Sequence, residues 1–278
     1  MGVALVLAIT AAVLLGASDL FAARAARTEA PVTVTRTAVG TSALLSPVLL
    51  LLTNSAWIGH DLLIGGGAGL CMTLGLIMLY RGYSIARMGI VAPLSSVLLA
   101  TVPVLWDVFN GVRPGTVAAV GMAVGVVAVV LTSYTPGGAG SVGAGIGLGL
   151  ASGVAFGVAF TMMGEVTSAA GLAPVIVQRW VALSFLMVLG AVRAEPFVAR
   201  GVAGRMAVLA GVLGLFAIGA LQSAFQRGDL GPVAVASSQF ATVAVVLSVV
   251  FNHERMRWWQ GTGVATTALA VALIAAGS

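Results

Sequence analysis

The chain is short of nearly everything that a water-facing surface requires. It has no lysine, and 8% of its 278 residues are charged, where a soluble domain carries about 25%. Hydrophobic residues make up 60% and the mean hydropathy is +1.12. No arrangement of such a chain clothes a globule in polar groups, so composition alone implies an integral membrane protein. A single cysteine, Cys71, lies in an apolar run, which excludes an internal disulfide and a cysteine metal site. The two histidines, His60 and His253, stand alone near the ends of apolar runs and offer no metal-ligand spacing. No nucleophile–base set or paired carboxylates fall within the apolar runs and no nucleotide-binding loop is present, so neither an enzyme nor a cofactor is expected. The net charge of +5 comes wholly from Arg. These residues sit singly or in pairs at the ends of apolar runs, where side chains meet lipid headgroups. Nucleic-acid binding would need a clustered basic face instead.

What the chain does have is apolar length. A helix needs about 20 apolar residues to cross a bilayer, and ten runs qualify: 3–23, 32–52, 62–80, 90–109, 115–134, 142–163, 174–192, 206–225, 231–251 and 258–276. The first is not a cleaved leader by its pattern. It lacks a basic opening, and its apolar character continues to Ala23. The expected fold class is therefore an all-α integral membrane protein of ten transmembrane helices, multi-pass in the cell membrane, with the bilayer as its first partner.

The chain also repeats itself. Residues 89–110 reappear as 231–252, offset by 142 without a gap, and ten of the 22 aligned pairs are identical. Pro31-Val-Thr-Val-Thr-Arg36 similarly matches Pro174-Val-Ile-Val-Gln-Arg179. A period of half the chain implies two copies of one unit, 1–136 and 137–278, joined at the Gly-rich Pro136–Gly143 stretch. Gly138-x-Gly140-x-x-Gly143 matches a dinucleotide fingerprint only as a string, because no strand precedes it and no acidic partner follows. Five crossings is an odd number, so the second copy must enter the membrane inverted, the recurring arrangement of secondary transporters.

With this duplication, the Pro…Arg openings of helices 2 and 7, the aromatic end of helix 3 at Tyr80-Arg-Gly-Tyr83, and Val250-Phe-Asn-His-Glu254 followed by Gln260-Gly-x-Gly263, the whole chain resembles the drug/metabolite transporter superfamily in its ten-helix EamA type. The first half departs from that pattern, with Val112 where an acidic residue usually stands, and helix 1 reads Leu15-Gly-Ala-Ser-Asp19 in place of Trp-Gly. The resemblance implies export of an amino acid or related metabolite by alternating access. It also implies helices 1, 3, 4, 6, 8 and 9 around a central cavity, with helices 5 and 10 peripheral. A proton-coupled multidrug exporter and a non-transporting scaffold are the alternatives. Orientation stays open: the Arg distribution places both termini outside the cytoplasm, and the resemblance implies inside.

Asp19 is the sharpest candidate residue, because a carboxylate within a span faces a cavity or a partner. The resemblance to four-helix pumps implies proton coupling there, and pairing with Arg24 or Arg36 is the structural alternative. Arg36 and Arg179 form a symmetric pair, suited either to binding an anion or to snorkelling toward the headgroups. Ser95, Ser96, Ser237, Ser238, Gln239 and Thr242 form the polar stripe of the repeated segment, with Tyr80, Gln222 and Gln226 near it. Together they are candidates to grip a polar solute or to bond between helices. Trp106, Trp258 and Trp259 read as interface anchors, and Glu165 reads as a solvated loop residue. Gly145, Gly149, Gly153 and Gly157 make one smooth helix face, and Gly121-x-x-x-Gly125 is a candidate dimer contact.

Overall fold

In a bilayer every backbone N–H and C=O must be satisfied within the protein, which favours helices wherever the chain is apolar for long enough. A computed structural model, which describes residues 2–86, 88–111, 113–133, 142–252 and 258–277, shows a helix at each of the ten runs. In order they are α1 (Gly2–Ala25), α2 (Pro31–Leu45), α3 (Gly59–Ile85), α4 (Met88–Phe109), α5 (Thr116–Ser133), α6 (Val142–Gly164), α7 (Ala173–Arg193), α8 (Gly201–Phe225), α9 (Leu230–Ser238), α10 (Phe240–Asn252) and α11 (Trp258–Gly277). Six of the spans, formed by α1, α2 with its extension, α3, α6, α7 and α8, are long and apolar enough to cross a membrane. Shorter apolar stretches lie in α4, in α5 and across α9–α10. The 136/137 boundary, the Gly-rich stretch as far as residue 141, Arg87, Val112, His253, Glu254, Arg255 and Arg257 lie outside the described residues.

Two spans are broken, each for a local reason. After Leu45 the second span tightens into a 3-10 helix, Ser46–Leu51. Pro47 has no N–H to give the carbonyl of Ala43, and Ser46 donates to it instead, from its own N–H and from its hydroxyl at 2.7 Å. The ninth span, read from the sequence as one run, divides at Gln239 into α9 and α10. There the Gln239 N–H turns to Ala236 O. The carbonyl of Val235 is served by two side chains instead, Ser238 Oγ at 2.8 Å and Gln239 Nε2 at 3.4 Å. Side chains thus replace the backbone donor that the break removes.

Helix α1 packs on α8, α9 and α10, and α6 packs on α3 and α4; α3 also meets α7, and α8 also meets α2. Helices α5 and α11 pack on one another, and α4 lies against α9. The outward faces are apolar, with Val3, Leu63, Phe109, Val188 and Val202 among the exposed side chains. Contacts between helix ends agree with strict up-and-down alternation. Asp61, Thr167, Gln226 and Gly171 meet at the end that carries the described chain termini, and Arg36 meets residues 195–197 at the other.

The glycine face of α6 is a packing surface. A Cβ at Gly153 would stand 2.7 Å from Ser95 O, and one at Gly149 would stand 3.0 Å from Val91 O, so α4 lies directly on the glycines. Gly121 and Gly125 are buried too, and Gly125 faces Val235 and Ala270. Gly125 thus packs α5 against α9 and α11.

Candidate functional site

A cavity opens in the middle of the bundle, walled by side chains from both halves of the chain. Its wall draws on α1, α2, α3, α4, α6, α7, α8 and α10. Helices 2 and 7 therefore contribute to the cavity, beyond the six helices that the resemblance implies, and among the described residues the ninth span contributes only Phe240. The wall is largely apolar, with Leu15, Leu76, Leu79, Leu99, Phe156 and Ile218 prominent.

Three ionisable or phenolic groups reach into this wall: Asp19, Tyr80 and Arg179. Asp19 is buried on α1, and the Tyr80 hydroxyl donates to its Oδ1 across a long 3.5 Å. The Tyr80 ring leans on Tyr83 with centroids 6.2 Å apart, which fixes its direction. Ser18 and Ser42 also line the cavity, and their hydroxyls are committed to α8 carbonyls, Ala210 O at 2.9 Å and Gly211 O at 2.6 Å. Arg179 lies about two turns into α7 and is buried. Its Nη2 meets the Met72 sulfur at 3.7 Å, and its Nε has no hydrogen-bond partner among the described residues.

Arg36 behaves differently from its sequence counterpart. It neither snorkels outward nor enters the cavity. It is buried, with Nε donating to Phe197 O at 2.8 Å, Nη1 to Leu186 O and Nη2 to Glu195 O and Pro196 O. Its guanidinium also stands 5.0 Å from the Phe197 ring centroid. Arg36 is thus an anchor for the loop between α7 and α8.

The remaining candidates from the repeated segment do not line the cavity. Ser95 accepts from Ser152 at 3.0 Å in the α4–α6 contact, and Ser96 and Ser237 are buried without hydroxyl partners among the described residues. Gln239 donates to Gly125 O at 3.3 Å and accepts from Thr242 and Thr267, which ties α5, α10 and α11 to the helix break. Gln222 donates to Met163 O at 3.1 Å, and Gln226 donates to Thr167 O and to Gly171 O at 2.9 Å. These amides belong to a layered closure at the end bearing the termini. There Phe160 stacks edge-on against Phe225 at 5.6 Å, and Asp61 accepts from Thr167. Glu165 belongs to the same region and is not simply solvated, since it accepts from Trp106 Nε1 at 2.7 Å.

The cavity residues that sequence reasoning passed over include Ser18, Ser42, Met72, Phe156, Phe160 and Phe240. The sequence repeat did not point to Phe160; the structure does, because Gly16 faces Phe240 O as Gly157 faces Leu98 O, and that likeness sets Phe160 opposite Asp19 at an offset of 141 residues.

No family model matches the sequence, and no curated protein matches it. Solved structures do match. One of them, described only as a crystal structure of a protein, superposes with a TM-score of 0.78 over 97% of this chain and 95% of its own, at 16% sequence identity. At that identity the likeness is one of fold: this helical arrangement exists in an experimentally solved protein.

Proposed function

We propose that the chain is a ten-helix secondary transporter of the drug/metabolite type that moves a small organic solute across the cell membrane by alternating access. The observation that carries this reading is the cavity itself. It holds an acid, a phenol and a guanidinium in a largely apolar wall, and helices from both halves of the chain surround it.

Two further features support an inverted duplication. Counting α2 with its extension as span 2, α9–α10 as span 9 and α11 as span 10, the packing pairs exchange when five is added to each first-half span. Span 1 on span 8 becomes span 6 on span 3, span 4 on span 6 becomes span 9 on span 1, and span 3 on span 7 becomes span 8 on span 2. Gly69 and Gly211, also 142 apart, each admit a facing carbonyl, Gln178 O from α7 and Ala38 O from α2. Two halves of that kind present two packings about one site, which alternating access requires.

Asp19 is the coupling candidate, since a titratable group within a span is a functional site by default. The test is a flux screen in proteoliposomes with labelled amino acids, other metabolites and cationic dyes, with and without a pH gradient. Flux of a small organic solute is expected, and Asp19→Asn should abolish its response to the gradient. Proton-dependent flux that survives in that variant would sink the coupling role. Absence of flux across the whole panel would favour a non-transporting membrane protein.

A further inference from the structure

Resting on that reading of the cavity, we infer that Arg179 is the receptor for a carboxylate, and that the solute carries a single carboxylate on a largely apolar body. The argument starts from what a buried guanidinium needs. It carries five N–H donors in a planar fork and has no acceptor of its own. Arg36 shows how this chain satisfies such a group when its role is structural: four carbonyls and one aromatic ring surround it. All four of those oxygens come from α7 and the loop that follows it.

Arg179 opens the second half as Arg36 opens the first, yet it has no equivalent loop around it. The corresponding connection between spans 2 and 3 directs its groups elsewhere, with Ser55 Oγ accepting from the Leu172 N–H and the Ala56 N–H donating to Ala169 O. Nor does a carboxylate pair with Arg179 among the described residues. Asp19 shares the cavity, but the contact to its oxygen comes from Tyr80. The Arg179 fork thus faces a cavity with a thioether as its protein contact and one buried nitrogen unpartnered. A protein that keeps a cation this way forgoes stability, since an uncompensated buried charge is destabilising. An acceptor that arrives with the solute accounts for it.

A carboxylate fits the fork with two parallel bonds. A dianion such as a phosphate monoester would need a second cation or several N–H donors, and among the described residues Arg179 is the only cation on the wall. Beyond these groups the wall offers leucines, isoleucine and phenylalanines, so the body of the solute is apolar. The carboxylate has two chemical sources. In a zwitterionic amino acid the ammonium falls to Asp19, and in a simple monocarboxylate Asp19 takes no part in binding.

The test is equilibrium binding to the purified full chain in detergent, with three ligands that share one isobutyl group: leucine, 4-methylpentanoate and 3-methylbutylamine. At least one carboxylate should bind roughly tenfold or more tighter than the amine, a difference of about 1.4 kcal/mol. Binding of leucine alone assigns the zwitterion, and binding of both assigns the monocarboxylate. Arg179→Met should abolish carboxylate binding and raise the unfolding temperature, whereas Arg36→Met should lower it. Amine binding as tight as that of the carboxylates would overturn the inference, as would no carboxylate binding at all. A fall in the unfolding temperature of Arg179→Met to match Arg36→Met would mark Arg179 as structural and overturn it too. Flux is scored separately. Carboxylate binding without flux in proteoliposomes sinks the transport reading and leaves the receptor role standing, and flux confined to amines does the reverse.

Discussion

Arg36 and Arg179 open their helices with the same Pro-x-x-x-x-Arg pattern, and one is an anchor while the other faces a cavity. Their surroundings decide the difference. Arg36 lies against Gly190 so closely that any Cβ there would collide with the guanidinium. Gly190→Ala should therefore displace Arg36 from the 195–197 carbonyls and destabilise the fold by about 1–3 kcal/mol, as overpacking does. A thermal unfolding scan of the purified protein checks this, and an unchanged midpoint would show that the guanidinium has another place to go. No equivalent penalty is expected at Gly40, whose Cβ would meet Leu183 at an ordinary 3.6 Å.

At the scale of elements, the ninth span shows how a polar side chain within a helix can serve the helix itself. Gln239 stands where the first copy has Val97, and the unbroken α4 contrasts with the divided α9–α10. Its amide holds Gly125 O and Val235 O, and its carbonyl oxygen receives Thr242 and Thr267. Interhelical hydrogen bonds in membranes average about 0.6 kcal/mol. Gln239→Leu should therefore cost roughly 1–2 kcal/mol in thermal stability and leave ligand binding intact, because Gln239 does not line the cavity. Loss of binding with unchanged stability would return Gln239 to the site. The sequence marked Gln239 as an asymmetric position but not which way it turns. The Gln239 amide donates to a carbonyl four residues back, Val235 O, and to one more than a hundred residues away, Gly125 O. Its oxygen accepts from Thr267 on α11, so the fold and not the local sequence sets its direction.

At the scale of the molecule, the cavity lies above the closure at the end that bears the termini. That closure layers the Phe160–Phe225 stack, Gln222 on Met163 O, and Gln226 and Asp61 on the 167–171 loop. On the proposed alternating access, it parts in the other state of the cycle. Trp106 and Glu165 span the same end across 2.7 Å. A Trp106→Cys, Glu165→Cys pair, made with Cys71→Ala and joined by a short bifunctional thiol reagent, should stop flux and spare equilibrium binding. Cleaving the linker should restore flux. Full flux with the linker in place would mean that this end does not open during transport.

The sequence by itself determined that the chain lives in a membrane and where its helices run. The ten apolar runs and the observed helices agree to within a few residues at most ends, because lipid demands about 20 apolar residues of any helix, whatever packs beside it. The 142-residue offset was legible for the same reason: it is carried by local strings. Tertiary structure alone decided which polar groups face the cavity. Asp19, Tyr80 and Arg179 reach it, while Ser95, Gln222, Gln226, Gln239 and Arg36 are committed to neighbouring helices and loops. A polar side chain in a span bonds to whatever acceptor the fold brings within about 3 Å, and which acceptor that is depends on helices and loops distant in the chain.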